Sequence, residues 1–305
     1  MAAQDLDVAV VGHFSNDCLK LPSRAEPYAI MGGAVAYVSL VTKRLGGSVA
    51  VVSKVGSDFP DAYLQQLISE GVDASSIVKV PNEETTSFEL VYNVDLSSRT
   101  LRLRRQGSPI TVADLPISLH AKAVHIAPIA GEISYDVVKR LRDGGDCLSI
   151  DPQGMTRRFD TYGNVTSSIE MDKRLLGLVD VYKSSFDEVK VLTGHSGLEG
   201  AVRAVHALGP KIVIVTMGGE GSVLSAKDEI YSVPVYCSDK VVDPTGAGDV
   251  FIGAFLTEYV RCGQDPFWCA CVGSAAASLV IEGVGTTFFG EKKEIYHRAH
   301  SVFSK

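Results

Sequence analysis

The chain has 305 residues, of which 46% are hydrophobic and 21% charged, with a formal net charge of -7. This composition excludes a disordered or fibrous protein, and the acidic balance argues against a nucleic-acid surface. No stretch approaches the ~18 uninterrupted apolar residues of a transmembrane helix, so no membrane partner is expected. At the N-terminus, Leu6–Val11 is a short apolar run closed by Gly12, with no basic segment before it. It reads as a buried strand and not as a signal peptide. Gly32-Gly33 opens a helical stretch to about Leu45, and Ser48–Ser53 is β-rich. Phe59, Tyr63 and Leu67 have helical spacing within Phe59–Glu70, which stops at Gly71. That alternation predicts a parallel sheet with crossover helices.

The rhythm then changes. Thr85–Tyr92 and Thr100–Arg104 alternate apolar and polar residues around the turn-rich Asn93–Arg99. Such a hairpin, half-exposed, is an insertion in an α/β chain and a candidate lid, to which about Leu19 to Met31 adds strands. Strands resume at Ala123–Ile126, Cys147–Ile150, Val179–Tyr182 and Lys211–Val215, with helices near Ser134–Arg142, Ser185–Leu192 and Leu198–Leu208. Val223–Ser225 and Ile230–Val233 read as an antiparallel pair. Val241-Val242 reads as a short β segment before a glycine loop, followed by helices from about Ala247 to Val260 and from about Pro266 to Ile281. There is no internal repeat or low-complexity linker, so one domain spanning 1–305 is expected, with lid strands inserted at about 19–31 and 85–104. The six cysteines, Cys18, Cys147, Cys237, Cys262, Cys269 and Cys271, form no C-x-x-C pair. They read as reduced thiols of a cytoplasmic protein. His297 and His300 near the C-terminus read as a solvated helix face, with no third ligand nearby in sequence.

The most informative segment is Asp243-Pro244-Thr245-Gly246-Ala247-Gly248-Asp249, which runs into an apolar helix. The first turn of a helix leaves N–H groups without partners and carries partial positive charge. Gly246, Ala247 and Gly248 can therefore form an anion hole for phosphate oxygens. Asp249, at the same terminus, can take a proton from an attacking hydroxyl. In phosphoryl transfer the loose transition state puts the weight on positioning and charge stabilisation. The structural alternative is a plain glycine turn with Asp249 capping the helix. There is no Walker loop, no dinucleotide fingerprint after the first strand and no protein-kinase motif set.

Two motifs in register now resemble one family. Asp243–Asp249 resembles the C-terminal signature of the ribokinase-like (PfkB) carbohydrate kinases. Gly32-Gly33, the helix to Leu45-Gly46 and Val52–Asp58 are similar to the family's other signature. The resemblance spans essentially the whole chain. It implies a three-layer α/β/α fold with a largely parallel sheet and a small β lid. It also implies ATP and Mg²⁺ as cofactors and a small polyol or sugar as substrate. Under it, Asp17 is the acid that binds substrate hydroxyls, and Gly32 and Gly33 bring backbone to the substrate. Glu188 holds hydrated Mg²⁺. Thr216, Gly218 and Gly221 belong to the nucleotide strand and turn, Thr245 sits with the nucleotide phosphates, and Ser274 to Gly285 borders adenine. Asp243 helps build a monovalent-cation site of the kind K⁺ fills.

The departures matter for the substrate. Tyr37 stands where ribokinases carry a sugar-binding Asn, and Ser185 replaces the Asn of the N-x-x-E motif, its hydroxyl still able to orient a water. After Asp151 the usual Asn and Arg are missing, with Arg157 or Arg158 as a substitute. These changes disfavour ribose. Glu84–Glu89, Val52–Gly56 and Lys183–Ser185 look most similar to the myo-inositol kinase branch. Another sugar or a nucleoside is the alternative within the kinase class, and a non-catalytic ligand-binding protein is the alternative outside it. The protein is expected as a monomer or as a homodimer formed through the lid.

Overall fold

The computed structural model describes residues 6–96, 98–167, 171–227, 229–263 and 265–305. In chain order the strands are β1 (Leu6–Val11), β2 (Ser15–Lys20), β3 (Tyr28–Gly32), β4 (Val49–Gly56), β5 (Asp73–Val80), β6 (Ser87–Tyr92), β7 (Arg99–Arg105), β8 (Ala121–Ile126), β9 (Gly145–Ile150), β10 (Arg157–Phe159), β11 (Val165–Ser167), β12 (Val181–Ser185), β13 (Ile212–Thr216), β14 (Ser222–Ala226) and β15 (Glu229–Val233). The helices are α1 (Ala34–Arg44), α2 (Asp61–Ser69), α3 (Tyr135–Leu141), α4 (Phe186–Thr193), α5 (Leu198–Ala207), α6 (Ala247–Cys262), α7 (Pro266–Val280) and α8 (Lys292–Phe303).

Nine strands form one sheet in the order β15-β14-β13-β12-β9-β8-β1-β4-β5. Pairing is parallel from β5 to β13, and β14 and β15 close the far edge antiparallel. The strand β1 shows why an apolar run was the right signal. Val8 and Val10 pack into the core shared with α1, α6, α7 and α8, whereas Ala9 and Val11 pack into the core with α3, α4 and α5. A parallel strand covered on both faces has no polar side to alternate with. The result is the three-layer α/β/α arrangement expected for a ribokinase-like fold.

A second sheet, in the order β3-β2-β6-β7, stands at the carboxyl ends of the parallel strands. It begins at Ser15, earlier than the expected Leu19, so Asp17 lies on a strand of this sheet. The outer strand β7 is not left bare. The hairpin β10–β11 packs along it, with Leu103 N–H donating to the Gly163 carbonyl at 2.8 Å and Arg102 Nε to the Tyr162 carbonyl at 2.6 Å. At Arg102 and Leu103 the chain's own hairpin thus takes up part of the edge that β7 would otherwise offer to another strand.

Other sequence expectations need correction. Val241-Val242 forms no strand; Val242 N–H instead donates to the Ile281 carbonyl at 2.7 Å, pinning the loop to the end of α7. The edge strand β5 was missed because its residues, Asp73-Ala74-Ser75-Ser76-Ile77-Val78-Lys79-Val80, are half polar, without a regular alternation, and none is buried.

Candidate active site

The carboxyl ends of β9 and β12, the start of α6 and the inner face of the small sheet enclose one cleft, as the geometry of open parallel sheets favours. A cavity of about 130 Å³ lies there. Its lining includes Asp17, Arg99, Arg157, Lys183 and Asp249, together with the turn from Pro244 to Gly248. Gly33 and Tyr37 of the first crossover also line it. The structure therefore brings the expected acceptor acid and the expected base into one space.

The α6 terminus is shaped by a single left-handed residue. Gly246 has φ of 79°, and a Cβ there would lie 2.3 Å from the Tyr37 ring. Val250 N–H returns to the Gly246 carbonyl at 2.8 Å, and Ala247 N–H reaches the Pro244 carbonyl at 3.4 Å. The intervening first-turn amides, those of Gly248 and Asp249, are the ones a helix start leaves to an outside acceptor. Replacing Gly246 by Ala combines an unfavourable backbone region with a clash against a buried ring. We expect Gly246→Ala to lower stability by about 1–3 kcal/mol, read as a fall in the thermal midpoint, with phosphoryl transfer reduced in the folded fraction.

Asp249, half-buried in the first turn of α6, lines the cleft. Burial pushes its carboxyl up to about 6; Lys183 opposes that shift and Asp151 adds to it, with Arg157 and Arg99 also holding it down. Asp17, on β2, is 7% exposed, and burial raises it to about 7 against the pull of the Phe88 amide, which donates to Oδ1 at 3.0 Å. Its Oδ2 lies 2.0 Å from where a Gly32 Cβ would stand, so only glycine lets the acid face the cavity. Tyr37 is buried, and its hydroxyl has no hydrogen-bond partner among the described residues. Burial, then Asp243 and Asp17, hold that phenol above its usual range, so it remains a neutral donor.

Several polar groups reach the cleft from elements that sequence spacing could not connect. Lys183 on β12 is 3% exposed and pairs with Asp151 at 2.6 Å. Arg99 on β7, at the exposed rim, donates to the Tyr92 hydroxyl at 2.8 Å and lies 3.5 Å from Thr245 Oγ1. Of the two arginines offered as substitutes after Asp151, Arg157 lines the cavity, whereas Arg158 is exposed. The sequence signal for Lys183 was a lysine directly after the apolar pair Val181-Tyr182, since a cation carried into the core by a strand requires a partner.

Thr245 and Asp243 hold the turn together. Asp243 Oδ1 accepts from Thr245 N at 2.9 Å and Oγ1 at 2.5 Å, and Oδ2 accepts from Gly285 N at 2.8 Å. Here Asp243 ties two loops together, each of its oxygens accepting from one of them. Beside the cleft, Ser185 and Glu188 form a capping box at the start of α4, with Glu188 Oε2 accepting from Ser185 N at 2.8 Å and Oγ at 2.7 Å. Among the described residues no cluster of three or more metal-ligating side chains occurs. Glu188 is a single carboxylate, of the kind that with waters and substrate phosphates can hold a cation such as Mg²⁺. Thr216 pairs with Ser185 across β12 and β13, and the turn from Gly218 to Gly221 follows on the surface. Ser274 is occupied on α7, its hydroxyl donating to the Pro234 carbonyl at 2.8 Å.

Residues 5–293 match the family described as pfkB family carbohydrate kinase. A cytidine kinase from Thermococcus kodakarensis is 30% identical over 288 residues, covering 92% of this chain and 98% of that protein. An inositol 3-kinase from Arabidopsis thaliana is 27% identical over 291 residues, covering 92% and 76%. Among solved structures, a pyrophosphate-dependent kinase in the ribokinase family superposes with a TM-score of 0.82 at 25% identity, covering 95% of this chain and 99% of that one.

Proposed function

The chain belongs to the pfkB family of carbohydrate kinases, and from that premise we propose that it transfers the γ-phosphoryl group of ATP to a hydroxyl of a small polyhydroxylated ring, with myo-inositol first among the acceptors. The observation that carries this reading is the shared cavity: Asp17 and Asp249 face the same space beside the α6 turn. Asp17 and the unpaired Tyr37 hydroxyl grip the ring. Asp249 accepts the proton of the reacting hydroxyl as its oxygen bonds to phosphorus. ADP leaves with the electron pair of the broken P–O bond. The free Gly248 and Asp249 amides at the start of α6, and not that of Ala247, which is turned to the Pro244 carbonyl, hold the transferring oxygens. Thr216, Gly218, Gly221 and Thr245 flank the nucleotide. Glu188, through water held with Ser185, would place Mg²⁺, which supplies charge neutralisation on the phosphates. The small sheet acts as a lid whose closure excludes water that would otherwise hydrolyse the donor.

A nucleoside acceptor is the second reading. Phe88, Leu90 and Leu101 give the lid side of the cavity an apolar wall that a base could lie against, and the Thermococcus relative is named a cytidine kinase. The similarity to a pyrophosphate-dependent kinase makes pyrophosphate the donor to test beside ATP. A turnover screen over inositols, pentoses, hexoses and nucleosides, run with each donor, decides. Phosphorylation of myo-inositol from ATP is expected. Turnover of nucleosides alone would replace the polyol, and turnover from pyrophosphate alone would replace ATP.

A further inference from the structure

The pair Lys183–Asp151 stands in the cleft where a simple core ion pair has no reason to be. Both residues are nearly sealed from solvent, at 3% and 2% exposure, and Lys183 Nζ is 2.6 Å from Asp151 Oδ2. The same nitrogen lines the cavity and approaches the anion-hole turn so closely that a Cβ on Gly248 would lie 2.6 Å from it. A side chain at residue 248 would therefore have to push the end of the lysine away from the turn. A buried ion pair is weak evidence for stability, because two desolvated charges cost about what their attraction returns. Its position facing a reacting site gives it a different use.

We propose that Lys183, clamped by Asp151, is a positioning cation of the phosphoryl-transfer site, acting on Asp249 and on the Gly246–Gly248 turn from the sheet side. The proposal rests on the assignment of Asp249 as base. Burial works against the lysine's charge, but Asp151, then Asp249 and Glu188, hold it above the usual range, so it stays cationic. The buried His125 beside it stays neutral, pushed down to about 3 by burial and by Lys183. The groups facing Asp249 are Lys183 from β12, Asp151 after β9, Arg157 from β10 and Arg99 from β7, and Tyr37 looks toward it from α1. Of the cations, Lys183 is the one anchored by a carboxylate at 2.6 Å inside the core, whereas Arg99 is carried by the lid sheet.

The test is kcat as a function of pH for the full chain and three variants. Lys183→Met should lose turnover by on the order of 10²-fold and move the acid limb of the profile to higher pH, because a cation that favours ionised Asp249 is gone. Asp151→Asn removes an anion that disfavours it, while Asp249 and Glu188 keep Lys183 charged, so the limb should move to lower pH with a smaller loss of rate. Opposite displacements are not produced by a pair that only supports the core. A folded Lys183→Met with the wild-type rate and limb overturns the proposal. If that variant fails to fold, an unmoved limb in Asp151→Asn overturns it instead. Asp249→Asn in the same series separates the two claims: if the limb persists in it, the base assignment is wrong. A limb that vanishes there but stays fixed in the other two variants sinks the lysine alone.

Discussion

Asp249→Asn should fold normally, bind the phosphoryl donor about as well as the unaltered protein and lose turnover by about 10²–10⁴-fold. The amide has nearly the shape of the carboxylate, so the α6 turn keeps its amides pointed at the phosphates while the proton acceptor is gone. In the unaltered protein, burial places the Asp249 carboxyl at about 6. A protonated carboxyl cannot accept the hydroxyl proton, so kcat should fall as the pH drops through about 6 and level off above it. The residual activity of the amide variant should lack that limb. Steady-state kinetics between pH 5 and pH 9, with donor affinity measured by calorimetry, checks both parts. A variant that retains the wild-type rate would show that another group takes the proton.

The part of this site that sequence made legible was the part built locally. Residues 243–249 contain the tight turn, the helix start and the acid within seven positions, and one backbone geometry serves all of them. The parallel strands were equally plain, since burial on both faces leaves uninterrupted apolar runs. What stayed hidden depends on convergence. Lys183, Arg157 and Arg99 come from β12, β10 and β7, separated by long stretches of chain, and nothing in spacing says that their cationic ends meet beside Asp249. The hairpin β10–β11 was invisible for a related reason. Its strands have three residues each, paired with one another and touching the edge of β7 around Arg102, and three residues are too few to carry a period of their own. Conversely, Val241-Val242 has strand-like composition but the Val242 amide donates to the Ile281 carbonyl, a tertiary bond that local propensity does not report.

Asp17 carries the second large effect, because it lies in the lid sheet yet faces the acceptor space. Replacing it by Ala should raise the acceptor KM by on the order of 10²-fold, since charge-assisted hydrogen bonds to substrate hydroxyls are lost together with the orientation they impose. Donor affinity should barely move. Its titration gives a separate handle. In the folded protein burial holds the carboxyl at about 7, whereas in the unfolded chain it returns to an ordinary value near 3.8. The folded state therefore binds the proton more tightly. Between those two values the native state gains stability as the pH falls, and as the pH rises through about 7 that stability is lost. Removing the group with Asp17→Asn should then raise the thermal midpoint at pH 8 by a few degrees and leave it nearly unchanged at pH 4. Acceptor binding works in the opposite direction. Hydroxyls that donate to Asp17 favour its ionised form, so binding near pH 7 should release a proton, seen as a dependence of the binding enthalpy on buffer ionisation. An acceptor that binds without proton release, together with a thermal midpoint for Asp17→Asn that follows the unaltered protein at every pH, would place the recognising group elsewhere in the cleft.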